Sequence, residues 1–299
     1  MAVFATIALS VVLPLLISAV AHDFGWGTFV VGPLAGGFAG ALTLKAFGDY
    51  AYRFTAQMVG WSLAAGLFVT LVTLREGAVC VLMAAPILVP CWFAGASIGH
   101  YLASRVKKPG PLSASVLAVA PFVLVSLAKS TPTVWTDTAT TAMVVDAVPD
   151  EVWPLISNLK VESEPSSWIL RTGVAHPLAV ETDGDRRVCR LSTGDMPETI
   201  VVSVPGKQLG FRVESTPPTM VETNPFGKVE AAHLSGYYQC RYGEFRLTGL
   251  PGGKTLVEGT SRYDCRFEPA GYWRLWTRAV VHAVHREVLG EIARQASGR

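Results

Sequence analysis

Two histidines, His282 and His285, stand three residues apart in an apolar stretch near the C-terminus. On a helix that spacing puts both rings on one side, which suits a metal, acid/base work or hydrogen bonds to a neighbouring sheet. A metal site needs three or four ligands with a supporting shell. The candidates to complete one, Glu287 and His233, lie on another part of the helix surface or cannot be placed, so no metal is expected. A second constellation is Tyr242, Glu244, Ser261 and Tyr263, carried by two long apolar-alternating runs joined through Leu250-Pro-Gly-Gly. With Leu250 opposite Thr255, Arg241 faces Asp264 and Cys240 faces Cys265. Opposite charges across strands favour that register. Tyr238, Cys240, Tyr242 and Glu244 then share an inward face with Ser261, Tyr263, Cys265 and Phe267. A carboxylate desolvated there would have a raised pKa suited to general-acid work; the alternative is a local bond from Glu244 to Ser261 or a backbone amide. The same register allows a Cys240–Cys265 disulfide in an oxidising compartment. No nucleophile triad stands out. Pro251-Gly252-Gly253-Lys254 reads as a hairpin turn, not a phosphate loop, and no cofactor is implied.

The elements that must position these residues are legible from periodicity. Thr141–Val148 reads as a strand. Pro149 sits at a first helical position with Asp150 and Glu151 in the first turn, where the helix dipole favours acids. Val152, Trp153, Leu155 and Ile156 complete a short amphipathic helix. Further strands are predicted at Pro177–Thr182, Arg187–Ser192, Glu198–Val204 and Gln208–Glu214, then Gly236–Gly249 and Lys254–Phe267. A long irregular stretch, Ser215–Ser235, lies between, with Met220 and Phe226 as apolar candidates for a gate. Pro269–Ala296 is a closing helix on which Trp273, Trp276, Val280, Val284 and Val288 recur at three- and four-residue steps. That stripe is either core or the floor of an apolar pocket.

Composition divides the chain. Only 16% of its 299 residues are charged and the mean hydropathy is +0.37, against about 25% charged in soluble domains. Met1–Ser130 holds three of the 23 acids and seven of the 25 bases. Residues 1–130 therefore read as a transmembrane domain and 131–299 as a globular one. Five apolar runs approach the roughly 20 residues of a spanning helix: Met1–Ala21, Gly27–Leu44, Met58–Leu74, Ala78–Leu102 and Leu112–Ala128. Lys45, Arg53, Arg105, Lys107 and Lys108 then share one side, which should be cytoplasmic. That places the C-terminal domain outside a cytoplasmic membrane. No charged residue lies deep in a span, so a transporter is disfavoured. Gly32, Gly36 and Gly40 repeat every four residues, a seam for close helix packing or a homodimer. No basic stripe exists to neutralise phosphates, so nucleic acid is excluded as a partner.

The globular half resembles the START-like (SRPBCC, polyketide cyclase/dehydrase-like) superfamily, in particular bacterial members of unassigned function. The resemblance rests on the Ala147-Val-Pro-Asp-Glu-Val-Trp153 opening, although only two residues separate Pro149 from Val152. It rests also on Gly173-Val-Ala-His-Pro-Leu, Pro217-Pro-Thr-Met-Val-Glu222, His233-Leu-Ser-Gly-Tyr-Tyr and Gly243-Glu-Phe-Arg-Leu. Leu256-Val-Glu-Gly-Thr-Ser-Arg-Tyr263, Tyr272-Trp-Arg-Leu-Trp276 and His282-Ala-Val-His-Arg-Glu-Val-Leu289 complete it. It implies a helix-grip fold: an α+β domain whose antiparallel sheet wraps a long C-terminal helix and leaves a cavity for a lipid, isoprenoid or polyketide-like molecule. The expectation is a binding module anchored in the bilayer, with Tyr242, Glu244, Ser261, Tyr263, Trp273, Trp276, Val280 and Val284 around an apolar ligand. A cyclase- or dehydratase-like enzyme and a filled, protein-binding domain are the rival readings.

Overall fold

The computed structural model describes residues 24–73, 76–105, 133–161, 163–229 and 231–298. The chain forms two compact units, one of helices and one built on a sheet.

Among the described residues, the helical unit holds three helices long and apolar enough to cross a membrane: α1 (Gly27–Phe47), α2 (Tyr52–Val72) and α3 (Ala78–Arg105). The first and fifth of the five apolar runs lie outside the described residues. Pro86 and Pro90 both fall within the single helix α3. Glycines let α1 and α3 meet at backbone distance. A Cβ on Gly95 would sit 2.0 Å from the Leu34 carbonyl oxygen, and one on Gly36 2.5 Å from the Trp92 ring. Gly32, Gly36 and Gly40 are all buried within this one chain, and Gly36 is matched to Trp92 of the same chain. The Trp92 indole N–H donates to the Val59 carbonyl at 2.9 Å, tying α3 to α2.

The other unit is a seven-stranded antiparallel sheet in the order β1-β7-β6-β5-β4-β3-β2. Its strands are β1 (Trp135–Val145), β2 (Pro177–Asp183), β3 (Arg186–Leu191), β4 (Gly194–Val204), β5 (Gln208–Val213), β6 (Tyr238–Leu250) and β7 (Lys254–Cys265). Between β1 and β2 come α4 (Pro149–Ser157) and a one-turn helix α5 (Trp168–Arg171); α6 (Ala270–Ala296) closes the chain. Pro149 does occupy the first turn of α4, and the Glu151 carboxylate accepts the Val148 N–H at 3.2 Å. β1 begins six residues earlier than its apolar run suggests, because Trp135–Thr140 pairs with Cys265–Thr260 of β7.

One face of the sheet takes α6 and α4. Leu289 and Ile292 of α6 and Val152 and Ile156 of α4 join Val145, Val257, Leu209, Phe211, Phe245 and Leu247 in one core. Sheet against long terminal helix is the arrangement the resemblance implied. The stripe on α6 is displaced from its expected line, however. Val281, Leu289 and Ile292 are buried, while Trp276, Val280 and Val284 are only half-buried; of the expected lining on α6 only Trp273 is buried.

The two segments Gly173-Val-Ala and Thr219-Met-Val, both within recognised motifs, pair with each other. Ala175 N–H donates to Thr219 O at 2.9 Å and Val221 N–H to Gly173 O at 2.8 Å. Gly173 has φ +98°, and a Cβ there would lie 2.1 Å from the Val221 carbonyl oxygen. Only glycine fits this approach. Met220 is therefore buried in a bridge with Val174, not poised as a gate. Phe226 belongs to the helical unit, its ring edge-on to Phe68 at 6.0 Å. The two expected gate residues thus fall in different units.

Candidate functional site

The β6–β7 register decides which side chains meet. Leu250 pairs with Lys254, not Thr255, and a bulge at Arg241 shifts the far end by one more residue. A one-residue slip moves side chains to the opposite face. Tyr242 and Glu244 consequently lie on the outer face, while Gly243, Phe245 and Leu247 point inward with the core. On that outer face the Tyr242 hydroxyl donates to the Glu244 carboxylate at 2.9 Å, and Arg246 donates to its other oxygen at 2.9 Å. Ser261 and Tyr263 stay on the inner face, so the predicted four-residue polar spot is not assembled. The same shift dissolves the predicted disulfide: Cys240 pairs with Tyr263 and Cys265 with Tyr238, and the two are not joined. The Arg241–Asp264 attraction survives as a 2.8 Å contact across the bulge.

In place of that spot, the inner face carries a chain of hydrogen bonds under the middle of α6. The Thr141 hydroxyl of β1 lies 2.7 Å from His282 Nδ1 and 3.0 Å from His285 Nδ1. His285 Nε2 is 2.8 Å from the Ser261 hydroxyl of β7. On the neighbouring strand β6, the Cys240 S–H reaches the Tyr242 and Arg262 carbonyls at 3.8 and 3.9 Å. Burial, helped by nearby His282, pulls the His285 imidazole down to about 4, so it is neutral near pH 7. Burial pushes the Cys240 thiol up to about 12. The two histidines thus spend their Nδ1 atoms on one hydroxyl rather than facing each other as a metal pair; their ring centroids are 6.4 Å apart.

His282 also borders a half-open cleft of about 500 Å³ between α5 and α6. Its wall combines Trp168, Ile169, Ala279 and Ala283 with Ser166, His282 and Arg286. The buried Glu287 carboxylate of α6 accepts the Ser166 N–H at 3.0 Å and its hydroxyl at 2.6 Å, pinning the loop that supports α5. Trp168 is 66% exposed, an apolar ring presented to solvent at the rim.

Deeper in the sheet a charge pair is buried. Arg187 of β3 and Glu198 of β4 are direct cross-strand partners and are ion-paired. The guanidinium lies 4.2 Å over the Phe211 ring. Burial raises the Glu198 carboxyl to about 7 against the pull of Arg187. Arg187 Nε and Glu198 Oε1 have no hydrogen-bond partner. At the N-terminal end of α6, Arg278 grips Asp137 through two bonds of 2.8 and 2.9 Å, which hold that carboxyl below the usual range. Tyr263, fully buried, stacks near Tyr238 at 5.1 Å.

Sequence reasoning found His282, His285 and Ser261 but missed Thr141, Arg187, Glu198, Ser166, Trp168 and Arg286. The Arg187–Glu198 pair had a signal, opposite charges either side of the Thr193-Gly194 turn. Thr141 had none, since one threonine among many in β1 is distinguished only by what it faces.

No family model matches the sequence, and no curated protein does. Solved structures do resemble it. A conserved protein from Geobacillus kaustophilus aligns at 14% identity and TM-score 0.36, covering 54% of this chain and 96% of its own. The Zhui aromatase/cyclase from a Streptomyces species aligns at 15% identity and TM-score 0.35, covering 55% and 96%. Norcoclaurine synthase from Thalictrum flavum aligns at 10% identity and TM-score 0.34, covering 57% and 99%. At identities and scores of this size the activities in those names stay with those proteins.

Proposed function

We propose that the protein is a membrane-anchored binding module that takes an apolar ligand bearing one polar group into the cleft between α5 and α6. The observation that carries this reading is the cleft itself. About 500 Å³ is open beside α6, with an apolar floor and a few convergent polar groups, the usual make-up of a small-molecule site. A chain with three candidate spans keeps its globular unit within reach of the bilayer, which raises the effective concentration of any lipid ligand. Of the expected cavity residues, Ser261 lies behind the cleft, linked to its wall residue His282 through His285 and Thr141, whereas Tyr242 and Glu244 do not line it. In the full proposal the anchor is a five-span bundle in a bacterial cytoplasmic membrane with the globular unit outside. Protease added to intact spheroplasts should then cleave that unit; protection until lysis would reverse the sidedness.

The binding test is organic extraction and mass spectrometry of the full chain in nanodiscs. The expected result is a discrete apolar molecule at near-stoichiometric yield, absent from empty nanodiscs. Extracts identical to empty nanodiscs would overturn the reading.

A further inference from the structure

Helix α6 carries four arginines, and three of them are matched by carboxylates. Arg274 and Arg278 pair with Asp137 at 3.5 and 2.8 Å, and Arg294 pairs with Glu291. Arg286 is the exception. It is exposed, it lines the cleft, and no carboxylate among the described residues pairs with it. Its neighbour in sequence, Glu287, is buried and already accepts the Ser166 N–H and hydroxyl. No acid lines the cleft among the described residues, and His282, held through Nδ1 against Thr141, brings no negative charge. The Ser167 side chain makes no cap bond and stands on the same wall. The cleft thus sets the apolar surface of Trp168, Ile169 and Ala279 beside a guanidinium whose charge no described residue neutralises.

We propose that the cleft takes a single-chain amphiphile ending in an anion, a carboxylate or a phosphate, with Arg286 as its counter-charge and Ser167 as a second donor. A guanidinium presents a planar fork that matches either group through two parallel hydrogen bonds. An alcohol of equal length accepts one such bond and leaves the charge unmatched. A volume of about 500 Å³ is that of a small-molecule pocket, with room for one acyl chain rather than the two of a membrane phospholipid. Because the cleft is half-open, water screens the pair in part, and the selection is worth about one decade in affinity rather than several. The inference rests on the proposed binding function and names the ligand class for the same cleft.

The test uses the full chain in nanodiscs of uncharged lipid, with dodecanoate, dodecyl phosphate and dodecanol as probes at a pH where the acid is ionised. The quantity read is the affinity of each anion relative to the alcohol, compared between variants so that partition into the bilayer cancels. The wild type should exceed Arg286→Gln in this ratio by about tenfold. Arg286→Lys keeps the charge without the fork and should fall between the two. Arg186→Gln removes an equal charge from an exposed position at the start of β3 and should match the wild type. The anion with the larger ratio tells a carboxylate ligand from a phosphate one. A ratio unchanged in Arg286→Gln, or lowered as much by Arg186→Gln, would overturn the role of Arg286 and leave the cleft reading standing. Absence of saturable binding by all three probes would overturn both.

Discussion

Helix α6 meets the same sheet in two different ways along its length. Its later turns put Leu289 and Ile292 onto Val145, Val257 and Leu247 in an all-apolar contact. Its middle turns put His282 and His285 onto Thr141 and Ser261. The sheet residues explain the switch. Along β1 the inward positions run from Ala139 and Thr141 to Met143 and Val145, and along β7 from Ser261 and Gly259 to Val257. Small and hydroxylic residues leave room for imidazoles and give them partners; branched aliphatics fill the space. The helix is thus anchored at one end and equipped at its middle, and the cleft opens beside the equipped part.

Substitutions should separate the two kinds of contact. The largest effect is expected at the buried ion pair. Glu198→Gln strands the Arg187 charge inside the sheet and should cost about 3–5 kcal/mol in denaturant unfolding, whereas Arg187→Met with Glu198→Leu should recover most of it. Leu289→Ala, in the dry half, should cost roughly 2–5 kcal/mol while leaving ligand preference unchanged. If it altered preference instead, the two halves would not be separable. Glu287→Ala removes the acceptor for Ser166 and should cost about 1–3 kcal/mol, with weaker ligand uptake because the α5 wall loosens.

The smallest effect is pH dependence. His285 and buried His233 are both drawn down to about 4 by desolvation. Between about 4 and their ordinary 6.5 the unfolded chain binds more protons than the native one. Their contribution to stability is therefore complete above 6.5 and is lost as pH falls. Glu198, raised to about 7, acts in the opposite sense, adding stability as pH falls toward 4.5. Melting temperatures from pH 7 to 4 should reflect this balance, and His285→Gln should make the acid side less unfavourable.

Much of the sheet was legible because alternation and turn residues mark strands directly. The hairpin turn at Leu250–Lys254 and the closing helix fell where periodicity put them. What failed was register. One residue at the turn and one bulge at Arg241 were enough to send Tyr242 and Glu244 to the outer face and to separate Cys240 from Cys265. A bulge leaves little trace in composition, since the extra residue here is an arginine that pairs with Asp264 either way. The valine stripe on α6 failed for a related reason. Buried Glu287 and Glu291 bond the 163–166 loop, so the helix is covered on a second side and its buried residues do not form one apolar line.

The claim that the cleft beside α6 is the ligand site is tested most directly by filling it. Ala279 lines the cleft without being fully buried, so Ala279→Trp should occupy the space at little cost to the core. Dodecanol binding to the full chain in nanodiscs should then be lost while the melting temperature stays within a few degrees of wild type. Undiminished binding by a stably folded Ala279→Trp protein would contradict the claim and move the site elsewhere.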